Sequence, residues 1–386
     1  MRTLTCGRCG QRAFFENTSC ESCGAKLGFV PAELAFAAFE VNEDGVWTRV
    51  AAEGTEGATC VPQRPCANYA VEQVCNWAVP ADSPDSLCLC CETTQIIPAL
   101  SEPQNRLYWS LLEQAKRRLF YGLLRLGLPI QSKRVDAEHG LSFQFLEDGV
   151  TSEKVLTGHD AGVITLNIVE ADDARREQQR LHLHEPYRTL LGHFRHEIGH
   201  YYWSRLIEGS PWLDEFRGLF GDERADYAAA LQAHYAAPTA DWQESFVSSY
   251  ASSHPWEDWA ECWAHYLHIQ DGLETAAAWG LKMSHATPDH ALSKVRGLAS
   301  ASAELRPALI EQWLPISQFV NAMNRSLGTR DSYPFVLTDP VVDKLEFIHK
   351  VVGAAAPAPA AASKAGHAAC LGQGEPAKEA HHGHGR

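Results

Sequence analysis

The sequence has no apolar run approaching the roughly 18–20 residues that span a bilayer, so no membrane-crossing helix is expected. It is short of positive charge: 33 Lys and Arg stand against 48 Asp and Glu, a formal net charge of −15. A broad phosphate-binding surface needs clustered Lys and Arg, so nucleic acid is not an expected partner. The opening residues, Met1-Arg2-Thr3-Leu4-Thr5-Cys6, have no apolar stretch of the kind that directs secretion. The expected location is therefore a reducing cytoplasm, where twelve cysteines point to metal binding more than to disulfides. Of 386 residues, 45% are hydrophobic and 21% charged. That is enough apolar material to bury a core and enough length for two or three domains.

The second half is almost without cysteine. Ten of the twelve precede residue 92, and only Cys262 and Cys370 follow, whereas the histidines crowd into the later part. This asymmetry predicts a cysteine-rich module over 1–97 and a histidine-bearing body over 98–350. Residues 351–386 are Ala, Pro, Gly and His with almost no large apolar side chain, which predicts a disordered tail. Its histidines (His367, His381, His382, His384) read as part of a solvated low-complexity end. There is no internal repeat beyond a doubled cysteine knuckle.

Within the body, Leu107, Leu111, Leu112, Ala115, Leu119, Leu123 and Leu126 recur at helical spacing over 104–127. Lys116, Arg117 and Arg118 between them read as a solvated face. Over 162–169, Ile164, Leu166 and Ile168 alternate with Val163, Thr165 and Asn167, the spacing of a half-buried strand. That strand is expected at the margin of its sheet. After residue 185 the chain reads as mostly helical.

Cys6-Gly7-Arg8-Cys9-Gly10 and Cys20-Glu21-Ser22-Cys23-Gly24 are two CxxC units. Two intervening residues let both thiolates face one ion, and the following glycine relieves the tight turn. Cys6, Cys9, Cys20 and Cys23 thus form the closed four-thiolate set of a structural zinc site. A redox dithiol would come singly within a βαβ pattern, which is missing here. Cys88 and Cys91 make a further CxxC. Cys66 and Cys75 can complete a second four-thiolate site, leaving Cys60 and Cys90 outside it. The bland alternative is a set of buried thiols.

His196-Glu197-Ile198-Gly199-His200 is an HExxH sequence. Helical residues four apart lie one turn above each other, so both imidazoles can bind one zinc, with Glu197 beside them to accept a proton. His193, His196, Glu197 and His200 share one face, and Leu191, Phe194, Ile198, Tyr201 and Tyr202 the opposite one. His193 is read as outside the ligand set, and Pro186 as marking the helix start. A catalytic zinc needs a third protein ligand and an open position. Glu223, Glu257 and Glu261 all qualify, and the residues alone leave the three open.

The order of His196 to His200, Tyr250, Glu257 seven residues later, and Glu261 one turn on resembles gluzincin metallopeptidases of the lethal factor and Mlc titration factor type. The whole chain before the tail is similar to a bacterial family of zinc-binding metallopeptidases with an N-terminal zinc ribbon. The segments that carry this resemblance are 6–23, 75–77, 157–160, 188–200 and 256–268. It implies an α+β, zincin-like domain, a small mixed sheet plus a helical lobe, preceded by the zinc-ribbon module. It also implies Glu257 as the third zinc ligand and Tyr250 as a catalytic tyrosine. Glu261, further along the same face, is then placed to accept a hydrogen bond from a ligand imidazole.

The expected reaction is peptide-bond hydrolysis by a zinc-activated water. Glu197 would be the general base and Tyr250 a donor to the oxyanion. It takes one catalytic zinc, one or two structural zincs, and a peptide or protein substrate. The rival reading is a zinc-ribbon scaffold, or a nucleic-acid- or protein-binding module, that carries an inert HExxH domain.

Overall fold

The computed structural model describes residues 2–43, 45, 47–50, 61–148, 155, 157–182, 185–283, 293–294 and 304–356. Cys60, Cys370 and the four tail histidines lie outside them. The contacts divide the chain between Cys88 and Leu89, nine residues before the boundary expected from composition.

The cysteine-rich unit is built from short antiparallel pairs. β1 (Leu4–Thr5) and β2 (Arg12–Ala13) form a ribbon with Cys6 and Cys9 in its turn. β3 (Lys26–Val30), β4 (Ala35–Val41) and β5 (Trp47–Arg49) form a three-stranded sheet, and β6 (Gln63–Pro65) pairs β7 (Ala78–Pro80) across the short helix α1 (Ala67–Ala70). Val30, Ala37, Phe39 and Ala78 form one core cluster with Trp47 packed against them, and Leu4, Ala13, Leu27, Phe36, Val74 and Val79 are buried as well. Phe29 adds a second focus between Phe15 and Trp77.

The larger unit carries a four-stranded mixed sheet over helices. The strands are β8 (Thr94–Ile96), β9 (Ser142–Leu146), β10 (Gly158–Asp160) and β11 (Val163–Asn167), in the order β10-β11-β9-β8. β8, β9 and β11 run parallel, and β10 is antiparallel to β11. The strand expected at the margin, β11, is therefore interior, and β10 is the edge. The reason is local: Ala161 (φ 44°) and Gly162 (φ 83°) form a tight reversal that folds β10 back onto β11. Alternation along a strand reports its faces and says nothing about its sides.

α2 (Pro103–Arg125) follows the expected helix, with one correction. Lys116 and Arg117 are buried, and Leu107 is exposed. Glu113, one turn earlier, neutralises Lys116 at 3.1 Å, and the ammonium sits 5.1 Å from the centre of the Phe143 ring. A cation with a buried carboxylate and an aromatic face need not be solvated.

The remaining helices are α3 (Asp173–His182), α4 (Leu190–Leu206), α5 (Leu213–Phe220), α6 (Tyr227–Ala236), α7 (Pro255–Ala278), α8 (Leu305–Ala308), α9 (Leu314–Ser326) and α10 (Asp339–Ala355). α10 continues through residues 351–355, with Val351 and Val352 buried, so the body extends into the stretch assigned to the tail. Phe143 and Phe145 of β9 pack on Phe194, which seats the sheet over α4. α4 crosses α7 at Gly199, where a Cβ would lie 3.0 Å from the Ala260 backbone. The Gly199 carbonyl also accepts from the Trp259 indole at 2.8 Å. Tyr202 stacks on Trp263 nearby. The glycine in the HExxH sequence is thus what lets the two helices approach. No helix of the described residues is long and apolar enough to cross a membrane.

Candidate functional site

α4 begins later than Pro186 suggested. Thr189 caps it, accepting from the Gly192 amide at 3.0 Å. α7 begins at Pro255, with His254 as its cap: the ring Nδ1 accepts from the Trp256 amide at 3.2 Å. This cap places Glu257 in the first turn of α7. Its side chain does not turn back to the cap but faces the imidazoles of α4.

His196, His200 and Glu257 come together. His196 Nε2 lies 3.2 Å from His200 Nε2 and 3.0 Å from Glu257 Oε2, and His200 Nε2 is 3.6 Å from the same oxygen. A tetrahedral ion with bonds of about 2.0–2.2 Å has ligand–ligand edges of about 3.3–3.6 Å, and the three spacings of 3.0, 3.2 and 3.6 Å lie at those edges or slightly inside them. The hydrogen-bond pattern adds a second argument. His196 Nδ1 faces Glu261 Oε1 at 2.8 Å, which places the ring proton on Nδ1 and leaves a lone pair on Nε2. Glu257 Oε2 is buried and has no hydrogen-bond donor. Converging lone pairs of two imidazoles and a buried carboxylate repel each other unless a cation lies between them.

The carboxyl of Glu197 is buried next to this group. Burial pushes its pKa up from the usual glutamate range, and the nearby imidazoles only partly pull it back. Tyr250 packs with its ring centre 5.9 Å from that of His196. Glu261 accepts from the Ser248 hydroxyl at 2.7 Å as well as facing His196.

Two other candidates stand outside the group. Glu223 is ion-paired with Arg217, whose Nε donates at 2.9 Å. His193 is half-buried, with Nδ1 3.2 Å from Glu170 Oε2, and Glu170 in turn pairs with Arg188. Sequence reasoning missed three neighbours. The Tyr227 hydroxyl donates to Glu257 Oε1 at 2.6 Å. Ser248 holds Glu261. His159, on the edge strand β10, lies parallel to the His200 ring at 6.3 Å. Only the His254-Pro255 pair gave a readable local signal, that of a helix start.

The cysteines form two groups. Cys6, Cys9, Cys20 and Cys23 have their sulfurs within 4.8 Å of one another, with Cys6–Cys23 at 3.8 Å and Cys9–Cys20 at 3.6 Å. Four thiolates at about 2.3 Å from an ion are about 3.8 Å apart, whereas a disulfide would need about 2.05 Å. The two knuckles repeat each other. Gly10 and Gly24 both have φ of 71°, and their amides donate to the carbonyls of Cys6 and Cys20 at 2.9 Å. Cys66, Cys75, Cys88 and Cys91 form the second group, all buried, with Cys75–Cys88 at 3.8 Å. The Trp77 and Cys88 amides point at the Cys75 and Cys66 sulfurs. Cys90 is buried and belongs to neither group.

Two imidazoles one turn apart, answered by a carboxylate from a crossing helix under a mixed sheet, define a metal-binding class of protein. The chain belongs to the family described as "Putative zinc-binding metallo-peptidase", which matches residues 105–351, and residues 3–102 match a zinc-ribbon domain. Uncharacterized proteins of Mycobacterium bovis and Mycobacterium tuberculosis are similar to it. Each is 45% identical over 359 residues, 92% of this chain and 97% of theirs. No solved structure matches. The family and the thiol groups together make zinc the metal.

Proposed function

We infer that the protein is a peptidase of the HExxH gluzincin type, with His196, His200 and Glu257 holding its catalytic zinc. The observation that carries this reading is the convergence of three lone-pair atoms with a buried carboxyl, Glu197, beside them. When bound, zinc would polarise a scissile carbonyl and acidify water at the open position. Glu197 takes the proton of the attacking water and delivers it to the leaving amine. Its raised pKa suits both halves of that task. Tyr250 donates its hydroxyl to the oxyanion of the tetrahedral intermediate. Glu261, held by Ser248, keeps the His196 ring in the required tautomer. The outer side of β10 is the sheet edge beside His200, and an extended substrate backbone can add to it there. Each cysteine group holds one structural zinc, and the substrate is a peptide or protein.

Two measurements test the reading. The wild-type protein, incubated with a peptide library and followed by mass spectrometry, should cut peptide bonds. A chelator that removes one exchangeable zinc should stop it, and zinc should restore it. Glu257→Gln should lack that exchangeable zinc, while Glu223→Gln should retain it and lose stability instead, because Arg217 is left without its carboxylate. Retention by the Glu257 variant and loss by the Glu223 variant would reverse the ligand assignment. A zinc-loaded wild-type protein that cuts no peptide would remove the peptidase activity.

A further inference from the structure

The two oxygens of Glu257 have different surroundings. Oε2 faces His196 and His200, and Oε1 accepts a hydrogen bond from the Tyr227 hydroxyl at 2.6 Å. Tyr227 is the first residue of α6, thirty positions before Glu257, and neither residue lies on the other's helix. What holds them together is His254. Its Nδ1 accepts from the Trp256 amide, so the proton is on Nε2, which donates to the Ala225 carbonyl at 3.2 Å. One imidazole thus ties the start of α6 to the start of α7. Its ring also packs edge-on against that of Tyr227, 5.1 Å between centres. Asp226 caps α6 by accepting from the Ala229 amide, which fixes the backbone from which Tyr227 projects.

We propose that Tyr227 is a positioning residue that holds Glu257 by one oxygen so that only the other is offered to the metal. This rests on the reading of Glu257 as a metal ligand. A carboxylate hinged at one carbon can swing to present both oxygens, and doing so fills the position a catalytic zinc must keep open. A phenol donating to Oε1 opposes that swing at no cost in charge. The bond joins a neutral donor to a buried carboxylate, the stronger class of hydrogen bond. The Tyr227 hydroxyl donates to Glu257, so it acts through that carboxylate. Tyr250 packs beside His196, and its proposed part lies with the substrate, which separates the two tyrosines experimentally.

The test uses the full-length protein and three measurements: the dissociation constant of the chelator-exchangeable zinc, the melting temperature without that zinc, and peptide cleavage. Tyr227→Phe keeps the ring contacts to His254 and removes only the hydroxyl. The dissociation constant should rise about 10–100-fold, the usual cost of losing a ligand's outer hydrogen bond, while the metal-free melting temperature falls by no more than the loss of one hydrogen bond to a buried carboxylate allows. Tyr250→Phe should leave zinc affinity within about threefold of wild type while lowering turnover. An unchanged dissociation constant in Tyr227→Phe would overturn the proposal. So would equal weakening in both variants. If the affinities behave as expected and no variant or wild type cuts peptides, the peptidase reading fails while the role of Tyr227 stands.

Discussion

With Glu197 replaced by Gln, hydrolysis is expected to fall by at least ~10²-fold while the exchangeable zinc stays bound at wild-type stoichiometry. The two halves of this expectation have separate physical origins. Gln matches Glu in size and can still accept a hydrogen bond through its amide oxygen, so water can still be positioned. It cannot take up a proton near neutral pH, so the step that converts water into a nucleophile loses its acceptor and the leaving amine loses its donor. The atoms that converge belong to His196, His200 and Glu257, and Glu197 is not among them. Removing its charge also removes a buried acid whose ionisation is opposed by burial, so the Gln variant should melt no lower than wild type. Metal analysis, a melting curve and a turnover assay on one preparation check all three statements. Wild-type turnover in this variant would show that another group moves the proton.

The helices of the site were readable because their chemistry and their packing share one period. In α4 His196, Glu197 and His200 fall on one side and Phe194, Ile198 and Tyr202 on the other at 100° per residue, although Arg195 shares the apolar side, and in α7 the tryptophans lie away from Glu257 and Glu261. The cysteine knuckles were readable because a CxxC turn is a local object. What periodicity could not give was contact between distant segments. Glu223, Glu257 and Glu261 are all acidic residues in helical surroundings. Only the Arg217 pair explains the first, and only the crossing at Gly199 brings the second to the imidazoles. Tyr227 and Glu257 are joined by an interaction that no spacing rule contains. Lys116 failed for a related reason. Its partner Glu113 was visible one turn away, but the aromatic face that covers its ammonium comes from β9. The side-by-side pairing of β11 was likewise invisible, although the Ala161-Gly162 reversal that creates it is present in the sequence.

Replacing Cys6 or Cys23 with Ser should release one equivalent of zinc and unfold the knuckle ribbon at the front of the cysteine-rich unit. The knuckle ribbon at the front of this unit has two strands of two residues each, with Leu4, Ala13 and Phe15 among its few buried apolar side chains. So little apolar burial stabilises a fold by a few kcal/mol at best, set against about 1–2 kcal/mol of backbone entropy for each ordered residue. Structural zinc sites contribute about 10–16 kcal/mol, and that free energy is folding free energy because the unfolded chain has no preformed site. A serine oxygen in place of a thiolate leaves an incomplete site, and the remaining core cannot make up the difference. The amides that mark the knuckles, Gly10 donating to Cys6 and Gly24 to Cys20, should then exchange with solvent at rates of unfolded chain, which hydrogen-exchange mass spectrometry over residues 3–88 can read. Cys90→Ala is the matched control. It removes a buried thiol from neither group, so zinc content should stay the same and the knuckle amides should remain protected. The body carries its own ligands, so the exchangeable zinc should persist in both variants. Equal zinc content in wild type and Cys6→Ser would mean that the thiols at 3.6–3.8 Å hold no ion.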